Sequence, residues 1–384
     1  LSLSSMNGKP DKYRILLLGD YSNMHSQLGR TLAARGHDVT VMSSGSGFQQ
    51  TARDIDITRR AGKLGGALLT ARLMGPLHKH MRGYDIVALQ NPHFLSLKPK
   101  RLRYFFDRLC GENASVFLTA AGTDEVYVRE ALDPDSVLRY NEYRIGNAAA
   151  PYTVEHPERL EAWQSPEMVE FCDHVYDRVD GVVTALYEYH VAVKGRIGEG
   201  RVAYGGIPID TKAITPATMN TDGPVRLFLG RHRGRYAEKG TDLLETAARR
   251  VVERHPGRVE LSIIENRPYA EYINTMLGSH IVLDQIYSYT PATNALLAMA
   301  RGLCTVSGGE DEFYDFIGER ENRPVINALP HVDLLTEILD ESVREPSDLA
   351  RRGADGRRFV EKHNAANVVA DRFLAFWGKK LAEK

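Results

Sequence analysis

Tyr13-Arg-Ile-Leu-Leu-Leu-Gly19 and Val225-Arg-Leu-Phe-Leu-Gly230 open the two halves of this chain in the same way. Each is a short apolar run that stops at a glycine. A run of this kind reads as a strand covered on both faces, as in a parallel sheet. After the first run comes a polar loop, Asp20 to Asn23. Helical spacing follows at Leu28, Leu32 and Ala33, is stopped by Gly36, and gives way to a second strand at 39–42. Parallel strands need crossover helices, so this opening implies an α/β sheet. Gly19 has no Gly-x-Gly-x-x-Gly around it, which argues against a nicotinamide site.

Working outward, further strands are expected at 84–90, 115–119 and 181–185. In the second half they are expected at 259–264, 280–283, 303–306 and 325–328. At 384 residues the chain suits two domains. The expected division is 13–210, a polar linker at 211–224 with Pro216, Gly223 and Pro224, a second domain at 225–365, and a last helix at 366–384. Residues 54–82 read as one weakly apolar helical segment rich in Arg and Lys, and 98–103 as a second basic patch. Such faces suit peripheral contact with an anionic membrane or simple solvation. Residues 133–163, rich in Tyr, Pro and Asn, read as an insertion that shapes an acceptor site or merely covers surface. A net charge of −1 gives no global field for nucleic acid. Three widely spaced cysteines, Cys110, Cys172 and Cys304, suit free thiols in a reducing compartment. With no secretion signal or apolar span, the cytoplasm is the expected place.

The chemistry concentrates in two stretches of the second half. The loop 230–240 carries Arg231, Arg233, Arg235 and Lys239 directly after a strand. Arginine forks and a lysine point charge suit phosphate oxygens. The stretch 287–312 offers Tyr289, Thr290, a short helix holding Asn294, and a strand emptying into Ser307-Gly308-Gly309 with Glu310 and Glu312 beyond. Helix starts and glycine-rich strand ends both present unpaired N–H groups to anions. In the first half, Gly19, Asp20, Asn23 and Gly122 belong to the loops at strand ends, where α/β proteins bind ligands. Asp124 sits just past a strand, as a binding carboxylate or as the cap of the next helix. No metal set emerges: His78 and His80 are two apart on a helix, and Asp54-x-Asp56 reads as a surface turn.

The chain resembles group 1 bacterial glycosyltransferases of the GT-B fold, which use sugar nucleotides, over essentially its whole length from Tyr13. The matching pieces are Gly36-His-Asp-Val-Thr-Val41, Tyr84-Asp-Ile-Val-Ala-Leu-Gln-Asn-Pro92, Asp180-Gly-Val-Val-Thr-Ala185 and Gly205-Gly-Ile-Pro-Ile-Asp210. They continue with Phe228-Leu-Gly-Arg231, Glu238-Lys-Gly-Thr-Asp-Leu-Leu-Glu-Thr-Ala247 and Asn294-Ala-Leu-Leu-Ala-Met-Ala-Arg-Gly302. The resemblance implies two Rossmann-like, doubly wound domains facing a cleft. It implies a retaining, metal-independent transfer without a cofactor, from a nucleotide-sugar donor to a glycan or lipid-linked acceptor. Arg231 and Lys239 would hold the diphosphate, with Arg233 or Arg235 sharing the role, and the last helix would cross back to the first domain.

Two departures stand out. The family's pair of donor-site glutamates falls on Tyr289 and Leu297, so the pair is missing, and Glu310 and Glu312 are the nearest substitutes. The family's His-Gly-x-Asp is Ala121-Gly122-Thr123-Asp124 here; Asp124 would position the acceptor or sugar. Competing expectations are a sugar-nucleotide epimerase of the same fold and a non-catalytic, nucleotide-sugar-binding partner subunit.

Overall fold

The computed structural model describes residues 12–45, 50–231, 234–267 and 269–384. The first sheet contains β1 (Arg14–Leu18), β2 (Asp38–Ser43), β3 (Ile55–Asp56), β4 (Ile86–Leu89) and β5 (Val116–Ala120). A two-residue hairpin, β6 (Arg144–Ile145) and β7 (Ala148–Ala149), interrupts before β8 (Gly181–Thr184) and β9 (Val202–Tyr204) complete it. The order is β3-β2-β1-β4-β5-β8-β9, with every pair parallel. The second sheet holds β10 (Val225–Arg231), β11 (Val259–Glu265), β12 (Ile281–Leu283), β13 (Cys304–Ser307) and β14 (Ile326–Asn327). Its order is β11-β10-β12-β13-β14, again all parallel.

The apolar runs explain this. Ile15 to Leu18 and Leu227 to Leu229 are fully buried, because helices cover both faces of each sheet. The fold is α/β with two Rossmann-like units of the GT-B type. Residues 54–82 are not one helix. Ile55 pairs with Met42 to extend the sheet, while the Asp54 carboxylate accepts from Val41 N–H (2.8 Å). The Asp56 carboxyl, held by Thr58 and Arg53, is lowered to about 2. The helix itself is Gly62–Met74.

Residues after β9 run to the second sheet under the hand of Arg357. Its guanidinium donates to the carbonyls of Thr211 (2.7 Å) and Ile214 (2.8 Å). The last helix, Ala366–Ala382, packs on the first sheet. Phe376 and Trp377 meet the Phe117 ring on β5, and Phe373 lies against Gly205. Arg35 closes the contact on Asp371 (2.6 Å). The three cysteines are unpaired; burial raises the thiols of Cys110 to about 11 and Cys304 to about 12.

Candidate active site

The C-terminal ends of both sheets face one another across a cavity of about 680 Å³. From the first sheet it is lined by the loops after β1, β2, β4, β5 and β8, including Asp20, Tyr21, His93, Gly122 and Glu188. From the second it is lined by Arg235, Glu238 and Lys239 after β10, by Gln285, Tyr287 and Ser288 after β12, and by Ala292 and Thr293 at a helix start. Ligands in open α/β sheets bind outside the carboxyl ends of strands, so this is the candidate site.

The basic loop divides its cations. Arg231 turns from the cavity: its guanidinium bonds the Glu245 carboxylate, and its Nε lies 3.0 Å from Glu265 as an ion-pair contact rather than an aligned hydrogen bond. It also covers the Tyr236 ring at 5.0 Å. Arg235 reaches the cavity but bonds Glu238 (2.8 Å). Arg233 lies outside the described residues. Lys239 lines the cavity, and among the described residues its ammonium has no carboxylate partner. Its carbonyl accepts from Ile286 N–H (2.9 Å), which fixes this loop against the loop after β12.

Beside it the helix Thr293–Ala300 begins at Ala292 without a side-chain cap, so its first N–H groups are left without a side-chain acceptor where Ala292 and Thr293 line the cavity. Ser288 lines the cavity, while its buried hydroxyl lies against Gly308 and has no hydrogen-bond partner among the described residues. Gly308 and Gly309 do not line the cavity; they let backbones approach. A Cβ on Gly308 would stand 2.3 Å from the Ser288 carbonyl oxygen, and one on Gly309 would stand 2.9 Å from Val325. Asn294 lies behind the wall, accepting from Tyr272 OH (2.8 Å) and donating to Asp284 (3.1 Å).

Glu310 and Glu312 are not free to replace the missing pair. Arg139, from the insertion after β5, bonds Glu310 (2.5 Å) and Glu312. Tyr140 OH donates to Glu310 (2.6 Å), as does Asn327 Nδ2 (2.7 Å). Tyr289 is fully buried, stacks on Tyr140 with centroids 5.1 Å apart, and its hydroxyl accepts from Arg139 N–H (2.5 Å). The stretch thus fastens the two halves together. Thr290 belongs to a second fastening: the Glu188 carboxylate, on a helix of the first half, accepts from the N–H groups of Tyr289 (2.5 Å) and Thr290 (3.1 Å) and from the Thr290 hydroxyl (2.6 Å). Burial raises the Glu188 carboxyl, and these donors oppose the rise.

Asp124 is a buried helix cap. It accepts from Tyr127 N–H (2.8 Å) and Tyr176 OH (2.5 Å) and does not line the cavity. Asp20 does line it, accepting from Thr51 OH (2.7 Å) and His25 N–H (2.9 Å), and burial raises its carboxyl. His25 is neutral, lowered to about 3 by burial; its Nδ1 proton goes to the Gly19 carbonyl (2.8 Å), so Gly19 supports Asp20 from behind. Asn23 starts the helix Met24–Ala34 in the left-handed region, φ 64°. Gly122, φ 87°, passes the Tyr21 ring where a Cβ would stand 3.2 Å away.

Glu142 carries no sequence signal and, like Ser288, Glu188 and Arg139, was missed by sequence reasoning. It lines the cavity from the insertion and accepts from Tyr127 OH (2.7 Å). Burial raises its carboxyl to about 7, with Glu238 and Glu188 adding to the rise and the Tyr127 bond opposing it. Only the fold brings it beside Arg235 and Glu238. Among the described residues no group of three His, Cys, Asp or Glu is placed to hold a metal.

No protein-family model matches the chain, and no curated protein matches it in sequence. Solved structures do match in fold. Sucrose-phosphate synthase from Thermosynechococcus elongatus is 14% identical with a TM-score of 0.62, over 97% of this chain and 100% of that one. Anabaena HepE, solved with UDP and glucose, is 9% identical with a TM-score of 0.59, over 94% and 98%. A putative UDP-N-acetylglucosamine 2-epimerase from Listeria monocytogenes is 13% identical with a TM-score of 0.55, over 97% of each chain. At these identities the likeness is one of fold.

Proposed function

We propose that this chain transfers a glycosyl group from a nucleoside-diphosphate sugar to a hydroxyl acceptor in the cleft. The observation that carries the proposal is the Lys239 ammonium, without a carboxylate partner among the described residues, beside an uncapped helix start in the cavity wall. A departing diphosphate needs positive charge and N–H donors already aimed at it. Lys239 and the Ala292–Thr293 backbone supply these, with Arg235 released from Glu238 as a second cation. Uridine is the first nucleotide to test, since HepE was solved with UDP.

In the transfer, the bond from the anomeric carbon to the phosphate oxygen breaks and one to the acceptor oxygen forms. In a retaining reaction the acceptor proton passes to the departing phosphate. Glu142, near neutrality in its raised range, favours the alternative in which the protein takes that proton and the product anomer is inverted. Product stereochemistry decides between them. We assign charge neutralisation to the protein rather than to a metal; turnover unchanged by a chelator supports this, and turnover restored only by a divalent cation contradicts it. The acceptor is a glycan or lipid-linked hydroxyl compound on the side of Gly122, Tyr21 and Trp163.

Incubation with a panel of sugar nucleotides tests the proposal. Release of nucleoside diphosphate only with acceptor present supports transfer. The acids Glu142 and Asp20 at the cleft also favour an epimerase, which would alter the donor with no acceptor at all. Binding without turnover across all donors and acceptors would point to a partner subunit.

A further inference from the structure

We propose that the N-terminal half docks on an anionic lipid bilayer through the helix Gly62–Met74 and the cations around it. This helix is apolar on two sides. Gly65, Gly66, Leu69 and Leu73 face inward and are buried. Leu64, Ala67, Leu68 and Ala71, spaced i, i+3, i+4 and i+7, form a second stripe that faces outward and is exposed. Leu64 is 79% exposed, and Leu68 and Met74 are 52% exposed each. Single exposed leucines are ordinary; a continuous outward stripe on one helix marks a contact surface.

Positive charge predominates around the stripe; the acid beside it, Asp56, whose carbonyl accepts from Arg72, is paired with Arg53. Residues 57–82 and 91–106 hold ten Lys and Arg and no Asp or Glu, so the rest of the chain carries 39 Lys and Arg against all 50 acids. Arg59 and Arg101 flank the helix, each with a guanidinium nitrogen 3.5 Å from where a Cβ on Gly66 would stand, and Arg101 also donates to the Thr70 hydroxyl (3.3 Å). Arg59, Arg60, Arg72, Lys98, Lys100 and Arg101 have no carboxylate partner among the described residues, whereas Arg103 pairs with Glu170.

Apolar residues rimmed by cations match the boundary of an anionic bilayer, where leucines enter the acyl region and cations meet headgroups. A nucleic acid would use the cations but not the leucines. A second copy across a two-fold axis would bring the same cations against themselves. The surface also adjoins the cleft: a neighbouring cavity lined by Arg53, Arg59 and Ser96 shares Ser44 with the interdomain cavity. A lipid-borne acceptor would then arrive on the side of Tyr21 and His93. That consequence rests on the glycosyl-transfer reading; the docking does not.

Co-sedimentation with vesicles tests the docking, using phosphatidylcholine alone and phosphatidylcholine with phosphatidylglycerol, at low and high salt. The expected result is binding to the anionic vesicles only, weakened by salt. Leu64→Asp with Leu68→Asp, and separately Arg59→Gln with Arg60→Gln and Arg101→Gln, each weaken it about tenfold or more. Both variants keep the parent's melting temperature and its thermal shift with UDP, since the changed side chains are exposed and outside the nucleotide wall. No binding to either vesicle, equal binding to both, or a leucine variant that binds like the parent overturns the proposal. So does a parent that self-associates while the leucine variant stays monomeric, which assigns the face to a second copy. Vesicle binding without any nucleotide shift would count against the proposed function alone.

Discussion

Replacing Lys239 by alanine removes an ammonium that has no carboxylate partner among the described residues, and so strands none of their carboxylates. The expected outcome is an unchanged melting temperature with UDP affinity lowered about tenfold, roughly 1.4 kcal/mol. Arg231→Ala does the reverse. It takes from Glu245 and Glu265 the cation they share, while Arg249 stays paired with Glu245 and the Tyr236 hydroxyl with Glu265, and the expected loss is about 1 kcal/mol of stability with little change in UDP affinity. Denaturant titration together with calorimetry separates the two effects. Glu142 supplies a pH signature. Its folded pKa, about 7, lies above that of an unfolded glutamate, so the folded state holds the extra proton between the two values. Its contribution to stability is complete below the unfolded pKa and is lost as pH rises through about 7. Asp20 and Glu188 are raised too, so the diagnostic quantity is the difference from Glu142→Gln. The parent's stability is expected to fall relative to the variant between pH 5 and 8; parallel profiles in urea melts would contradict the assignment. The sequence set Lys239 and Arg231 together on the diphosphate and could not tell them apart. They share one loop and look alike, and what separates them is the pair of acids on other elements. Glu142 acquires its environment only when the insertion folds against the cleft.

At the scale of elements, Ser288 and Gly308 show how two strand ends are pressed together. Gly308→Ala places a Cβ 2.3 Å from the Ser288 carbonyl oxygen, so one backbone must move. The expected cost is about 1–3 kcal/mol, with weakened nucleotide binding because Ser288 moves with it; a variant with the parent's stability and affinity would show that the wall is more pliant. The strands were legible in the sequence wherever both faces are covered, as at Ile15 to Leu18 and Leu227 to Leu229, because continuous apolar runs announce that burial. The edge strand Ile55–Asp56 was not, since two residues pairing with β2 leave no pattern. Glu310 and Glu312 looked like ligands for a related reason. Their partners Arg139 and Tyr140 lie some 170 residues away, and no local feature reveals them. Asp124 satisfied two readings in sequence, and the N–H of Tyr127 and the hydroxyl of Tyr176 decide for the cap.

For the molecule as a whole, the two sheets are tied along one side of the cleft by Arg139 with Glu310 and Glu312, and by Glu188 with Tyr289 and Thr290. The last helix and the Arg357-bound segment add further ties between the halves. Two lobes around a cleft commonly hinge, and ties of this kind set the closed population. Arg139→Ala leaves Glu310 buried with Tyr140 and Asn327 but no cation. Since half of the Arg139 side chain is exposed, the expected cost is only about 1–2 kcal/mol. Solution scattering is expected to show a larger radius of gyration for the variant, and more so without nucleotide than with it; identical curves would mean the ties do not govern opening. The arrangement of two parallel sheets about a cleft was readable from the repeated opening of the two halves, but the ties were not, because each joins residues far apart in the chain.

The central claim is that Lys239, with the wall from Ser288 to Thr293, holds the diphosphate of a nucleotide. Calorimetric titration of UDP into the parent, Lys239→Ala and Arg231→Ala tests it most directly. The account predicts binding by the parent, a loss of about tenfold or more for Lys239→Ala, and near-parent affinity for Arg231→Ala. Failure of the parent to bind uridine, guanosine, adenosine or thymidine diphosphate, or binding by Lys239→Ala as tight as the parent's, would contradict it.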